Sequence, residues 1–240
     1  MIRLAAVGDV HLGVDDAGCW RRHLGDLDQR ADMLLLAGDL TRGGDEAEAE
    51  VAAAEFRDLG VPVVAVLGNH DHHAGTPDDV VRRVLEDAGI AVLEGESTLI
   101  DVDGRSVGIA GAKGFGGGFA GACGSEFGEA EMKAFVAHTR VVADRLEGAL
   151  DDIDTDVKVA LMHYSPIEET LRGERLEIYP FLGSYLLAEA IDRGRAHVAF
   201  HGHAHRGSER GVTPGGVRVR NVAQPVIGHA YHVYKLNGTA

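Results

Sequence analysis

The chain has 240 residues, a hydrophobic fraction of 45% and a formal net charge of −15 at pH 7, which fits one domain with a full core. No apolar stretch reaches the roughly 18 residues of a membrane span, and the apolar N-terminus meets Gly8 and Asp9 too soon for a signal peptide. We therefore expect a single cytoplasmic domain over residues 1–240 with no membrane contact and, because its surface is acidic, no affinity for nucleic acid.

The first part of the chain alternates between strand and helix patterns. Short apolar runs predict strands at residues 2–7, 33–37 and 63–67. Amphipathic stretches with capping signals predict helices at residues 20–30, from Asp45 as N-cap to Arg57, and from Thr76 and Pro77 to Ala88. This alternation indicates parallel pairing with right-handed crossovers.

The second part mixes several patterns. Residues 98–102 and 106–110 flank Asp103-Gly104, a two-residue hairpin signal. The pattern further predicts helices at 126–150 and 181–191, strands at 157–162 and 197–200, and antiparallel strands between 217 and 236. The glycine-rich segment 114–124 is either a flexible surface loop or a loop that faces the substrate.

Five apolar runs each stop at a cluster of Asp, His or Asn. These clusters contain Asp9 and His11; Asp39; Asn69, His70 and Asp71; His163; and His201, His203 and His205. Open α/β sheets bind ligands at the carboxyl ends of their strands, so we expect one sheet to gather these groups along one edge. Glycine precedes four of the candidate ligands, at Gly8, Gly38, Gly68 and Gly202, and is expected to allow the sharp turn off the strand.

The donor types point to metal ions. Carboxylate, imidazole and amide donors without thiolate suit Mn, Fe, Zn or Co and do not select among them. In extended backbone, side chains i and i+2 face the same way, so Asp9 and His11 can bind one ion, and His203 and His205 repeat the spacing. The candidate ligands are too many for one ion and suit two ions that share a bridging carboxylate.

The ordered motifs resemble the calcineurin-like metallophosphoesterase superfamily, in particular its small bacterial branch that contains cyclic-nucleotide phosphodiesterases. The family pattern is Asp-x-His, Gly-Asp, Gly-Asn-His-Asp/Glu, a lone His and Gly-His-x-His. The corresponding strings here are Asp9-Val10-His11, Gly38-Asp39, Gly68-Asn69-His70-Asp71, His163 and Gly202-His203-Ala204-His205. The resemblance implies a four-layer α/β/β/α sandwich with a dinuclear metal site at the carboxyl ends of the strands.

The resemblance also implies a role for each motif residue. One metal is held by Asp9, His11 and His205, the other by Asn69, His163 and His203, and Asp39 bridges the two. Two metals roughly 3.5–4 Å apart can activate a bridging water for in-line attack on phosphorus. His70 is not a ligand in the family and is the expected catalytic residue, which protonates the leaving oxygen or stabilises charge on the phosphoryl group.

The implied activity is metal-dependent hydrolysis of a phosphodiester or phosphomonoester, with a small molecule or nucleotide as substrate. Protein phosphatases of the superfamily carry Gly-Asp-x-x-Asp-Arg-Gly, whereas Arg42 stands here in place of the second acid. This difference argues against a phosphoprotein phosphatase and leaves open what orients His70. Arg42 either contacts the substrate phosphate or is a solvated surface arginine.

Two other functions compete with this interpretation. A non-catalytic scaffold with the same fold would be indicated by missing ligands, and none is missing here. A nuclease is disfavoured by the acidic charge balance and the single Trp. The sequence does not indicate the substrate, the metal pair or the oligomeric state.

Overall fold

The computed structural model describes residues 1–75 and 80–236. The strands are β1 (Ile2–Val7), β2 (Met33–Ala37), β3 (Val63–Val66), β4 (Ala91–Val92), β5 (Glu96–Val102), β6 (Arg105–Ala112), β7 (Gly118–Phe119), β8 (Ala122–Cys123), β9 (Val157–Met162), β10 (Val198–His201), β11 (Arg210–Val212), β12 (Arg218–Asn221) and β13 (His232–Leu236). The helices are α1 (Leu27–Arg30), α2 (Glu46–Phe56), α3 (Val80–Asp87), α4 (Ala130–Asp151), α5 (Tyr179–Leu182), α6 (Tyr185–Arg193) and α7 (Gln224–Ile227). Within the described ranges, no helix combines the length and the apolar character needed to cross a membrane.

The long strands form two sheets. One sheet has the order β13-β1-β2-β3-β4, in which only the edge strand β13 runs antiparallel to its neighbour. The other has the order β11-β12-β10-β9-β6-β5, with parallel strands from β12 to β6 and an antiparallel strand at each edge. The expectation of one sheet is therefore wrong, because β1 to β3 and β9 to β10 lie in different sheets. An apolar run shows that both faces of a strand are buried, but it does not show which sheet the strand joins.

Successive residues of a strand enter different cores, because side chains alternate between the two faces of a sheet. Leu4 of β1 and Phe200 of β10 are both 0% exposed and lie in the core between the sheets. Val7, on the opposite face of β1, packs with Phe56 of α2 in a second core. A third core joins the outer face of the other sheet to α4 and α6. Three cores separate four layers in the order α/β/β/α, and burial of each large apolar side chain contributes about 1.5–3 kcal/mol.

Local signals placed many elements correctly. The predicted strands at 2–7, 33–37 and 157–162 form with the same bounds. Asp45 caps α2, where its side chain accepts a hydrogen bond from the Glu48 amide at 2.9 Å. Asp103 and Gly104 have φ angles of 52° and 78°, as a tight turn between β5 and β6 requires. The predicted helix start at Thr76 and Pro77 lies outside the described residues.

Tertiary contacts override the pattern at three places. The helix predicted over 20–30 shrinks to α1, because the buried Glu55 carboxylate accepts backbone amides of Trp20 and Arg21. The helix predicted over 181–191 breaks at Gly183, whose Cβ would lie 1.9 Å from the Ser165 carbonyl oxygen. The strands expected between 217 and 236 do form, and each has an antiparallel neighbour, β11 for β12 and β1 for β13, but they do not pair with each other. β12 pairs in parallel with β10, and β13 pairs with β1 in the other sheet.

Candidate metal centre

The loops that follow β1, β2 and β3 meet the loops that follow β9 and β10 at one edge of the sandwich. Three groups of side chains there bring their ligand atoms within 4.8 Å of one another: Asp9, His11 and His205; His11, Asp39 and His70; and Asp39, His163 and His203. Asn69 reaches the same place, with its Oδ1 atom 3.0 Å from His163 Nε2. The structure thus brings together all the ligands expected from the sequence, together with His70.

The expected strand geometry does not explain how these side chains converge. Asp9, His11, Asp39 and His203 have left-handed backbone, with φ between 45° and 70°, whereas the i, i+2 rule for Asp9 and His11 holds only for extended backbone. His203 and His205 fall in different groups, as the resemblance implies, although their spacing repeats that of Asp9 and His11. Left-handed backbone costs a residue other than glycine about 1–3 kcal/mol, so the surrounding contacts must hold these residues in place.

The glycines before the ligands chiefly make room. A Cβ at Gly68 would lie 2.1 Å from Asp39 Oδ1, and a Cβ at Gly202 would lie 2.3 Å from Asp9 Oδ2. Of the four glycines that precede candidate ligands, only Gly38 has a left-handed φ, of 80°. The expectation that all four supply the turn is wrong. Of the residues that follow them, Asp9, Asp39 and His203 themselves adopt the left-handed conformation, and Asn69 is right-handed with φ of −71°.

Backbone carbonyls orient three of the histidine rings. These contacts are His163 Nδ1 to Ala37 O at 2.9 Å, His70 Nδ1 to Arg42 O at 2.7 Å and His203 Nε2 to Phe181 O at 3.2 Å. A carbonyl oxygen only accepts, so the bonded nitrogen carries the hydrogen and the other ring nitrogen of the neutral ring keeps its lone pair. The Arg42 carbonyl is therefore what orients His70, which the sequence left open.

Burial sets the protonation of several candidate ligands. It lowers the pKa of His11 and lowers the pKa of His203 to about 3, which favours the neutral imidazole that binds metals. Burial alone would raise the pKa of Asp9, but the hydrogen bond from His205 and the nearby histidines hold it below its ordinary value. The same hydrogen bond, at 2.9 Å, raises the pKa of His205.

Two observations indicate that the donor atoms are suited to bind metal ions. His11 Nε2 is buried without a hydrogen-bond partner among the described residues and lies 3.8 Å from Asp39 Oδ2. With its Nδ1 hydrogen donated to Ala37, His163 directs the Nε2 lone pair at the Asn69 Oδ1 lone pairs, 3.0 Å away. A cation placed between such atoms would satisfy both. The nitrogen and oxygen donors suit first-row divalent metals.

Asp71 has a role that the sequence did not predict, although the residue belongs to the Gly68-Asn69-His70-Asp71 motif. Its buried carboxylate accepts the Leu40 amide at 3.0 Å, the Thr41 amide and hydroxyl at 2.8 and 2.7 Å, and the Gly68 amide at 2.8 Å. It therefore ties the loop that carries Asp39 to the loop that carries Asn69. Burial, together with the neighbouring Asp39 carboxylate, raises the pKa of Asp71. The alternation rule for strands gave no signal of this clamp, because Asp71 lies in a 3₁₀ turn.

A neutral network supports the loops after β9 and β10. Thr170 Oγ1 lies 2.8 Å from His201 Nε2 and 2.9 Å from Ser165 Oγ, and His201 Nδ1 lies 2.7 Å from Gly202 O. All three side chains are fully buried, and burial lowers the pKa of His201 to about 4. His201 is therefore a neutral support for this half of the site and stands apart from the clustered donors.

Two features left open by the sequence now have defined contacts. Arg42 forms ion pairs with Asp15 at 2.8 Å and Asp16 at 2.5 Å. In the glycine-rich segment 114–124, the Gly117 amide donates to Pro180 O at 2.7 Å and the Gly118 amide donates to Gly183 O at 2.8 Å. This segment is tied to α5, the helix whose Phe181 carbonyl holds His203.

Comparison with known proteins agrees with the fold and the motifs. The profile of a family described as calcineurin-like phosphoesterase matches residues 2–207. The chain therefore belongs to the calcineurin-like phosphoesterase family. Membership implies divalent metal ions, which the clustered His and Asp side chains are suited to bind.

A segment of 80 residues is 36% identical to a probable cyclic nucleotide phosphodiesterase from Synechococcus sp. and covers 29% of this chain and 31% of that relative's length. Among solved structures, the phosphopantetheinyl hydrolase PptH of Mycobacterium tuberculosis has a TM-score of 0.68 at 15% identity, over 98% of this chain and 96% of that chain. The protein TT1561 of Thermus thermophilus has a TM-score of 0.57 at 18% identity, over 92% and 88% of the two chains. At these identities the structural similarity shows a shared fold.

Proposed function

We propose that this protein hydrolyses small phosphate esters with two transition-metal ions bound at the candidate metal centre. The observation that carries the proposal is the convergence of two sets of donors, with Asp39 within reach of both. The ions are divalent or trivalent and are drawn from Mn, Fe, Zn and Co, because the donor set contains imidazole, carboxylate and amide but no thiolate. The substrate is a phosphodiester or a phosphomonoester.

Each side chain has a part in this proposal. Asp9, His11 and His205 would hold one ion, Asn69, His163 and His203 would hold the other, and Asp39 would contact both. Such ions, when bound, polarise the phosphoryl oxygens and offset the charge that develops during the reaction. Hydrogen bonds from the ligands to carbonyl and carboxylate oxygens keep the metal-binding atoms of these ligands directed into the site. The side chains therefore need to move less when metal ions bind.

His70 is the proposed catalytic acid. Its Nδ1–H group donates to the Arg42 carbonyl oxygen, and the centroid of its ring lies 4.6 Å from that of the His11 ring. The half-buried ring can take a proton from solvent on Nε2 and deliver it to the leaving oxygen of the substrate. This role needs no metal contact from His70.

The substrate class rests on similarity and on charge. The Synechococcus relative makes cyclic nucleotides the first diesters to test, whereas the net charge of −15 disfavours nucleic acid. A scaffold without activity is disfavoured because every ligand of the family pattern is present. A cytoplasmic location stays a prediction.

The test begins with protein stripped of metal by a chelator, with metal removal verified by elemental analysis. We expect no hydrolysis of an aryl phosphate monoester or diester by the stripped protein, and recovery on addition of Mn, Zn, Co or Fe. The ratio of diester to monoester turnover then assigns the substrate type. Full activity after verified metal removal contradicts the proposal.

A further inference from the structure

A cavity of about 650 Å³ opens directly beside the candidate metal ligand His11. Its wall includes Trp20, Arg22, Arg42, Gln224 and His229. This volume lies within the range of small-molecule sites, roughly 300–1,000 Å³. A phosphate ester whose phosphoryl group sits at the metal centre can therefore extend its remaining part into this cavity.

The charges in this wall favour an anion. Asp16 is the acidic residue in the lining, and its carboxylate is already bound by Arg42, which also pairs with Asp15. Arg22 has no carboxylate partner among residues 1–75 and 80–236. Its Nε donates to His23 Nε2 at 3.1 Å, and its two terminal nitrogens make no hydrogen bond within those ranges. Its terminal nitrogens can therefore bind an anion in the cavity that His11 also lines.

The segment that carries Arg22 is held in place. Glu55 of α2 is 2% exposed and accepts the amides of Trp20 at 2.9 Å and Arg21 at 2.5 Å. The Arg21 side chain also donates to the Ala54 and Arg57 carbonyls, at 3.0 and 2.7 Å. Because the backbone on the N-terminal side of Arg22 is anchored to a helix, less ordering is needed when the guanidinium binds a ligand.

A second cavity provides the contrast. It has a volume of about 590 Å³, and the charged residues in its described wall are Glu168, Glu169, Glu189 and Asp192. Four carboxylates without a lysine or arginine among these wall residues repel an anion. Of these two cavities, the one lined by Arg22 is therefore the one that favours an anionic part of the substrate.

We propose that the Arg22 cavity binds a second anionic group of the substrate, so that the preferred substrates are phosphate esters whose alcohol carries a further phosphate or carboxylate. This inference rests on the proposed function, since it takes the scissile phosphate to sit at the metal centre. A guanidinium recognises both anions by paired, charge-assisted hydrogen bonds. Such a bond contributes about 1.5–3 kcal/mol, which corresponds to roughly a 10–150-fold gain in affinity.

The experiment measures binding without turnover. Metal-loaded protein is titrated calorimetrically with alkylphosphonates and with ω-carboxyalkylphosphonates that have two to six methylene groups. We expect at least one carboxylated phosphonate to bind about 10-fold or more tightly than its uncharged counterpart, and this preference to weaken as salt is added. Arg22→Gln should abolish the preference, and Arg22 is exposed, so the variant should fold.

Arg83→Gln is the matched control, because Arg83 is an exposed arginine of α3 that pairs with Glu46 at 3.4 Å, outside the cavity. It should retain the full preference. Equal affinities for both phosphonate types in the wild-type protein, or a preference that survives Arg22→Gln, overturn the inference. Failure of the proposed function looks different, because phosphonates would then bind while aryl phosphates were not hydrolysed.

Discussion

The two halves of the metal centre are held by different chemistry. The loops after β1, β2 and β3 are held by buried carboxylates, chiefly Asp71, which accepts amides from both the Asp39 loop and the Asn69 loop. The loops after β9 and β10 are held by the neutral groups of Ser165, Thr170 and His201. The first half of the site, formed by the loops after β1, β2 and β3, therefore contains the negative charge of Asp71 in addition to its acidic ligands.

This difference has an energetic consequence. Burial raises the pKa of Asp71, and the Asp39 carboxylate raises it further, because the two negative charges disfavour each other. Bound cations would offset that repulsion. We therefore expect the first half of the site to depend on metal for its stability more than the second half does, and each prediction below tests this asymmetry or its limits.

Asp39→Asn should have the largest effect, because Asp39 shares ligand groups with side chains of both halves. We expect the variant to lose at least one ion. Its metal affinity should fall by well over the roughly 10–100-fold loss that follows when a residue hydrogen-bonded to a metal ligand is changed. Elemental analysis after gel filtration and kcat/KM for an aryl ester measure both effects. Asp45→Asn is the control, since asparagine caps a helix as well as aspartate. A variant that still carries two tightly held ions rules out the bridging role.

His70→Ala should separate chemistry from metal binding within the first half. We expect near-normal metal content and a kcat lower by roughly 10²–10⁴, the range for a positioned acid–base group. The deficit should shrink as the leaving group improves, because a good leaving group needs no proton. A series of aryl esters with graded leaving-group pKa measures this.

His73→Ala serves as the control, because His73 is exposed and its ring centroid lies 6.2 Å from that of His70. A deficit that stays flat across the series would assign His70 to stabilisation of phosphoryl charge. Loss of metal from His70→Ala would show that the ligands around Asn69 are misassigned.

Thr41→Val removes one hydrogen bond of the carboxylate clamp, the 2.7 Å contact from Thr41 Oγ1 to Asp71. Because the acceptor is charged, we expect a loss of about 1.5–3 kcal/mol in the free energy of unfolding. Metal affinity should fall by roughly 10-fold or more, as for other outer partners. Chemical denaturation with and without Mn, together with a metal titration, measures both quantities.

Thr170→Val is the matched change in the second half, since Thr41 and Thr170 are both 0% exposed. It removes the neutral contact to His201, while Ser165 Oγ stays 3.4 Å from the same ring nitrogen. We expect a smaller loss of about 0.5–1.5 kcal/mol and metal affinity within about twofold of the wild type. If both threonine variants weakened metal binding equally, the proposed asymmetry between the halves would be wrong.

The sequence by itself predicted most of the long strands and the candidate donor residues in their order. Each apolar run ends at a polar residue within a few positions of its own strand, so Asp9, Asp39 and His163 could be identified from local pattern alone. The motif order then led to the four-layer fold. Local signals also placed the Asp45 cap and the turn at Asp103 and Gly104, because capping and tight turns depend on residues close in the chain.

Only the tertiary structure decided how these groups meet. The division into two sheets, the left-handed backbone at Asp9 and His203, and the Asp71 clamp all depend on contacts between distant segments. The carbonyls that orient His70 and His163 belong to the backbone, which is alike for every residue type and leaves no sequence signal. A pattern therefore identifies which side chains lie at the edge of a sheet, whereas their direction depends on what packs against them.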